Sequence, residues 1–151
     1  MNINLKPIGY VKNVRTTPID DQWESILSEL VLADDIPIES LDHIEDFSHL
    51  EIIYFFNQVP QEDIVFSGRP RGNLAYPQVG IFGQRKKDRP NTLGLCTVEL
   101  VSHQGRSLTV KYLDAIDGTP VLDIKPVFRE FQPQKLIRQP DWVADLMKNY
   151  W

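Results

Sequence analysis

The run Ile52-Ile53-Tyr54-Phe55-Phe56 constrains the fold most. β-branched and aromatic side chains lose rotamer freedom against the preceding turn of a helix, and they suit a pleated, buried strand. His49 to Asn57 therefore reads as a buried strand. At five residues this is also the longest apolar stretch of the chain. A helix crossing a bilayer needs about 20.

Short strands dominate the rest. Leu5 to Val14 is an extended run broken by Pro7 and Gly9, and Pro7 restricts it to an edge or a strand start. Ser25 to Leu32 reads as a second strand, with Leu27, Glu29 and Val31 alternating with Ser28 and Leu30. Pro37 to Ile44 predicts a short helix, with Pro37 in the first turn and Ile38, Leu41 and Ile44 on one face. Pro60 to Pro77 is rich in Pro, Gly and Asn and reads as a long loop, and long loops in compact domains are often functional. Val79 to Phe82 reads as a short strand. Leu93 to His103 and Ser107 to Leu113 predict a hairpin turning at Gln104-Gly105. Pro120 to Lys125 is a further strand. Pro140 to Tyr150 predicts a C-terminal helix with an apolar stripe of Trp142, Val143, Leu146, Met147 and Tyr150. That stripe fits either packing on its own domain or contact with a partner.

Six or seven short strands with two helices predict a mainly β fold, a small β-barrel or a strongly curved sheet, forming one domain over residues 1–151. Strands and helices do not alternate, and no G-x-G-x-x-G follows a strand, so a doubly wound nucleotide fold is not expected. A length of 151 residues, with 42% hydrophobic and 25% charged residues, suits a globular domain with one core. The opening MNINLKPIGY has no apolar signal core, and the single cysteine, Cys96, allows no internal disulfide, which points to the cytoplasm. Cys96 itself reads as a small core residue of its strand. His43, His49 and His103 are scattered, so no metal site is expected.

The formal net charge of −5 argues against nucleic acid, but its distribution argues back. Between positions 69 and 89 lie Arg69, Arg71, Arg85, Lys86, Lys87 and Arg89 against the single acid Asp88, a local charge of +5. A compact basic patch attracts an anionic ligand, since screening limits each charge to about 8–10 Å in physiological salt. The bland alternative is a solvated loop.

Two segments carry possible chemistry. Gly80 to Leu95, GIFGQRKKDRPNTLGL, runs from a strand through a cationic loop into another strand, and Arg85 and Arg89 offer forked donors for phosphate or carboxylate. Tyr112 to Pro126, YLDAIDGTPVLDIKP, contains a turn at Asp117-Gly118. The turn leaves Asp114 and Asp123 unexplained at apolar strand ends, where sites are commonly grafted.

Together these segments resemble the paired signature of the TsaA-like (TrmO) family. PIGYV near the start and EDFSHLEIIYFF in the middle are similar to the same family's N-terminal and central strands, and PDWVADLMKNYW is similar to the ending of its short, single-domain members. The resemblance implies a β-barrel homodimer that binds S-adenosylmethionine and methylates N6 of threonylcarbamoyl-adenosine beside the anticodon of tRNA. It implies cofactor contacts from Asn57, Gln58, Arg85, Leu95, Asp114, Ala115, Ile116 and Asp117, with a loosely matched contribution from Asp21, Gln22 and Trp23. Departures are also present: Lys86-Lys87 stand where many members have Ser-Pro, and Thr92-Leu93 and Cys96 flank the glycine in place of Pro-Ile and Ser.

The chemistry fits these residue types. Methyl transfer from a sulfonium is an in-line displacement governed largely by placement. An adenine N6 must also shed a proton, for which Asp117 is the proposed acceptor. An unpaired anticodon loop is gripped by aromatic stacking and cations, here Tyr76, Arg69, Arg71, Lys86, Lys87 and Arg89. Two other readings stand beside this one: a small-molecule methyltransferase of the same fold, and a non-catalytic module that binds S-adenosylmethionine or an anion.

Overall fold

Alternation along β3, His49–Phe55, fixes which side of the sheet is inside: Leu50, Ile52 and Tyr54 are buried while His49 and Phe55 face out. A computed structural model describes residues 1–151 and shows how the other strands complete that interior. β1 is Gly9–Lys12, β2 Leu27–Leu32, β4 Ser67–Gly68, β5 Val79–Gly80, β6 Leu93–Gln104, β7 Ser107–Lys111 and β8 Pro120–Pro126. Six of them close into an antiparallel barrel in the order β1-β2-β7-β6-β3-β8, with β8 pairing back to β1. Closure leaves no open sheet edge.

The inner face is apolar except for Ser28 of β2. Val11, Leu30, Leu32, Leu50, Ile52, Tyr54, Cys96, Val98, Leu108, Val110 and Val121 meet there. Burying one such aliphatic side chain contributes about 1.5–3 kcal/mol. β6 serves two partners: Leu93 to Glu99 pair with β3, and Glu99 to Gln104 pair with β7 across a bulge between Leu100 and Ser102. That bend lets one long strand turn a corner of the barrel.

The mainly β expectation holds, and the differences lie at element ends. Of Leu5 to Val14 only Gly9–Lys12 is strand. The short helix expected over Pro37 to Ile44 is two 3-10 turns, Ile38–Leu41 and Ile44–Asp46, separated where His43 adopts a left-handed φ of 63°. The loop Pro60 to Pro77 contributes β4, which pairs with β5 in a separate two-stranded ribbon. After β5 the chain turns at once into a 3-10 turn, Ile81–Gly83, so the strand expected to Phe82 stops at Gly80. The hairpin turn falls one residue later than expected, at Gly105-Arg106, because Gln104 pairs with Ser107 and Gly105 supplies a φ of +56°. The C-terminal helix α1 is Asp141–Leu146, shorter than the Pro140 to Tyr150 stripe. No helix is long and apolar enough to cross a membrane.

One close approach makes a glycine necessary. A Cβ at Gly94 would stand under 3.0 Å from three ring atoms of Tyr54, its cross-strand partner. Gly94→Ala should therefore destabilise the protein by about 1–3 kcal/mol in denaturant unfolding, as overpacking of a core does. Gly68→Ala, with nothing within 4 Å of the new atom, should change stability far less. Equal midpoints for the two variants would contradict this packing.

Candidate functional site

The polar groups gather where the end of β3, the start of β6 and the loop before β8 meet. Asp114, half-buried in that loop, accepts a hydrogen bond on each carboxylate oxygen. The Tyr54 hydroxyl donates to Oδ1 at 2.5 Å, and the Tyr150 hydroxyl donates to Oδ2. Burial pushes the Tyr54 phenol well above its ordinary value, and the Asp114 charge and hydrogen bond add to the effect. Tyr150 is raised for the same reasons in the same order. Both phenols therefore stay protonated donors, and Asp114 is a fixed, oriented acceptor.

Cys96 lies beside this cluster, with its thiol directed at the Tyr112 carbonyl at 2.9 Å. Burial, with the Asp114 charge second, raises its pKa. The Arg85 guanidinium donates to the Leu95 carbonyl, and its charge acts in the opposite direction on both Cys96 and Tyr150. Arg85 thus sits on the Leu95 carbonyl of β6, one residue before Cys96, and the Leu95 side chain is 46% exposed on the outer face of the strand. Asn57 and Gln58 are exposed just beyond β3, where the Phe56 N–H donates to the Thr92 carbonyl at 2.8 Å and ties that end to the basic loop.

The late loop divides into two environments. Ala115 is buried, and its carbonyl accepts the Asn13 side-chain amide at 2.8 Å. Ile116 accepts from the Thr119 hydroxyl at 2.7 Å. Asp117 is exposed, and its Oδ1 accepts the Asn13 N–H at 3.0 Å. Asp117 lines a shallow depression with Asn13, Leu27, Ser28 and Thr109, on the β1–β2 side of the barrel. The carboxylate held in the tyrosine cluster is that of Asp114.

The six cations are not equivalent. Arg71 forms a two-pronged pair with Asp21, at 2.8 and 3.2 Å, which raises its pKa and pins the 20–22 loop. Arg69 donates to the Tyr76 carbonyl and Arg89 to the Gln84 carbonyl. Lys86 and Lys87 flank Asp88 at 3.1 and 2.7 Å; burial pushes that carboxyl up, but the hydrogen bonds and charge of the two lysines outweigh it and hold it low. Arg85, Lys86 and Lys87 are exposed. Tyr76 departs from its expected role as a stacking surface. Its ring is buried against Trp142 and its hydroxyl donates to Asp145 at 2.5 Å, so it presents no open face.

Sequence reasoning missed Tyr54, Tyr150 and Arg15. Arg15 stacks on Trp23 at 4.2 Å and donates to the Asp21 and Gln22 carbonyls, so it shapes the 21–23 loop. Tyr54 reads as core and Tyr150 as helix stripe, and nothing local marks their hydroxyls. No three His, Cys, Asp or Glu side chains come together as a metal-binding set.

Comparison with other proteins shows what the chain is similar to. Residues 10–132 match the family described as the tRNA-methyltransferase O N-terminal domain. A probable S-adenosyl-L-methionine-binding protein of Methanothermobacter thermautotrophicus is 34% identical over 134 residues, which is 86% of this chain and 93% of that protein. A tRNA (adenine(37)-N6)-methyltransferase of Mus musculus is 33% identical over 144 residues, 89% of this chain and 33% of the mouse protein. The crystal structure of TrmO from Pseudomonas aeruginosa has a TM-score of 0.73 at 25% identity, covering 91% of this chain and 62% of that one. The chain thus spans under two thirds of the TrmO chain and a third of the mouse protein.

The environment of Cys96 predicts its reactivity. The thiolate is the reactive form, and burial beside Asp114 disfavours it. Native protein at pH 8 should resist alkylation by iodoacetamide and become labelled only on unfolding. Rapid labelling of the folded chain would contradict the buried placement.

Proposed function

The chain belongs to the tRNA-methyltransferase O N-terminal domain family, and from that premise we propose that it is an S-adenosylmethionine-dependent methyltransferase acting on N6 of threonylcarbamoyl-adenosine beside the tRNA anticodon. The observation that carries the reading is the polar cluster at one end of the barrel, where the Tyr54 and Tyr150 hydroxyls hold Asp114 and Arg85 donates to the Leu95 carbonyl on the adjoining stretch of β6. These residues suit the donor. Arg85 offers a forked cation for its carboxylate, Asp114 offers a fixed negative charge for its ammonium or sulfonium, and Leu95 offers apolar surface. Asn57, Gln58, Ala115 and Ile116 border the same end and complete the proposed contacts. When bound, S-adenosylmethionine supplies the methyl group.

The chain's own residues then position and receive. Asp114, held by two phenols, cannot swing away from a cation. Asp117 has only one oxygen engaged, which leaves it the proposed acceptor of the N6 proton. Lys86 and Lys87 stand exposed beside Arg85 and are proposed to hold RNA phosphates, with Arg69, Arg71 and Arg89 shaping the loops around them. The outer faces of β3 and β6 pair Ile53 with Leu95 and Phe55 with Leu93. Phe55 and Leu93 are more than a third exposed, next to the donor residues. That apolar strip supports a homodimer whose two-fold interface adjoins the site.

A second reading has its own support. The relative covered over 93% of its length is described only as binding S-adenosyl-L-methionine, which favours a module that binds the donor without transfer.

The deciding experiment is methyl transfer to tRNA with and without the threonylcarbamoyl group, read by nucleoside mass spectrometry alongside calorimetry with S-adenosylmethionine. Binding with a methylated threonylcarbamoyl-adenosine supports the proposal. Binding without transfer moves the donor-binding reading ahead, and no binding refutes both. Lys86→Ala with Lys87→Ala should weaken tRNA binding and lower its salt slope by about 0.7 per lost single-strand phosphate contact, leaving donor affinity intact. An unchanged slope would show the lysines to be a solvated loop.

A further inference from the structure

The last three residues reach the proposed donor site although little else holds them there. The connection Phe131 to Pro140 is exposed at every residue, with Leu136 fully exposed and Ile137 75% exposed. The docking of residues 141–151 therefore comes from their own contacts. Two of these anchor α1: the Tyr76 hydroxyl donates to Asp145, and the Tyr76 ring packs on Trp142 with centroids 6.0 Å apart. The others fall on the site. The Gln22 N–H donates to the Asn149 carbonyl and the Trp23 N–H to the Tyr150 carbonyl, both at 2.9 Å. The Tyr150 hydroxyl donates to Asp114. Trp151 meets Tyr112 edge-on at 5.6 Å and Tyr150 at 4.9 Å.

Two separate pieces of the site thus touch Asn149–Trp151: the 21–23 loop, and the late loop at Tyr112 and Asp114. We infer that Asn149–Trp151 forms a wall of the donor site, and that Tyr150 is a positioning residue that fixes the Asp114 carboxylate for a cationic group of the ligand. The inference rests on the reading of that site as a donor site.

The chemistry is specific. A carboxylate has about four lone-pair directions, and two opposed phenols use one on each oxygen of Asp114. One lone pair on each oxygen stays available, and its direction is set. Tyr54 is built into the barrel wall and holds Oδ1 from below. Tyr150 arrives on the C-terminal segment and holds Oδ2. With Tyr150 gone, the carboxylate keeps one tether and can rotate about it, so the charge no longer meets the ligand in a fixed place.

The test uses the full chain and calorimetry with S-adenosylmethionine. Tyr150→Phe keeps the ring and removes only the donor. Losing a hydrogen bond to a charged group should weaken binding about tenfold. Tyr76→Phe serves as the comparison, since it removes the other tyrosine–carboxylate bond of the segment without touching Asp114. It should leave the dissociation constant essentially unchanged, with a melting temperature close to that of Tyr150→Phe. A purely structural role for the segment would instead give the two variants the same loss of affinity, and that result overturns the inference. Trp151 gives a second readout. Ligand binding should shift tryptophan emission, and Trp151→Phe should remove most of the shift; an undiminished shift overturns the wall. If the parent chain fails to bind, the donor-site reading itself falls. If the parent binds and Tyr150→Phe binds equally well, only the positioning role falls.

Discussion

The Tyr54 ring fills the space that a side chain at position 94 would need, and its hydroxyl ends on Asp114. This contact joins the packed interior of the barrel to the polar cluster at its end. β3 lies between β6 and β8, so Tyr54 is held by strands on both sides. A bulge in the β3–β8 register falls between Ile53 and Tyr54, directly beside the contact. The Asp114 carboxylate is therefore positioned from a strand that is paired on both sides. Sites carried on such elements are more sharply placed than sites built on loops alone.

The barrel was legible because its strands obey a period of two. Leu50, Ile52 and Tyr54 in β3, and Leu108 and Val110 in β7, alternate cleanly with outward residues. Legibility fails where structure depends on distant partners. β4 has two residues and exists only by pairing across the loop with β5, so no local pattern could reveal it, whereas β5 occupies the first half of the strand expected over Val79 to Phe82. Pro37 to Ile44 carries helical spacing, yet the left-handed conformation at His43 breaks it into two turns. In the site, the motif segments named Arg85 and Leu95, which do meet, and Asp114, which lies in the adjoining tyrosine cluster. The hydroxyls of Tyr54 and Tyr150 come from 60 and 36 residues away, and a strand or a stripe explains each of those residues without its oxygen.

Charge shows the same division between composition and contact. The +5 between positions 69 and 89 is a sum over residues that do different work. Arg71 is matched by Asp21, and Arg69 and Arg89 cap carbonyls of their own loops. These three order the chain. Arg85, Lys86 and Lys87 remain exposed at the tip, where Asp88 spaces the lysines without cancelling both. A cluster counted in sequence as one patch is in space a short cationic ridge on a scaffold tied down by its neighbours.

That scaffold also stores strain, and its location is informative. Six non-glycine residues have φ between 48° and 66°, a region unfavourable to most side chains though eased for Asn; His43 and Arg71 lie in the turns at 42–43 and 70–72, and the other four are Gln22, Asn91, Thr92 and Tyr112. All four border the site: Gln22 contacts Asn149, Asn91 and Thr92 close the basic loop, and the Tyr112 carbonyl accepts the Cys96 thiol. Such conformations cost on the order of 1–3 kcal/mol each and persist only where surrounding contacts over-determine them. Here those contacts are the Thr92–Phe56 hydrogen bond to the end of β3, the Gln22–Asn149 bond to the C-terminal segment and the packing of Tyr112 on Trp151. The strained loops are thus held from three directions before any ligand arrives. A reaction that depends on placing two centres in line benefits from such pre-organisation, because the ordering cost is met in folding and not at each turnover.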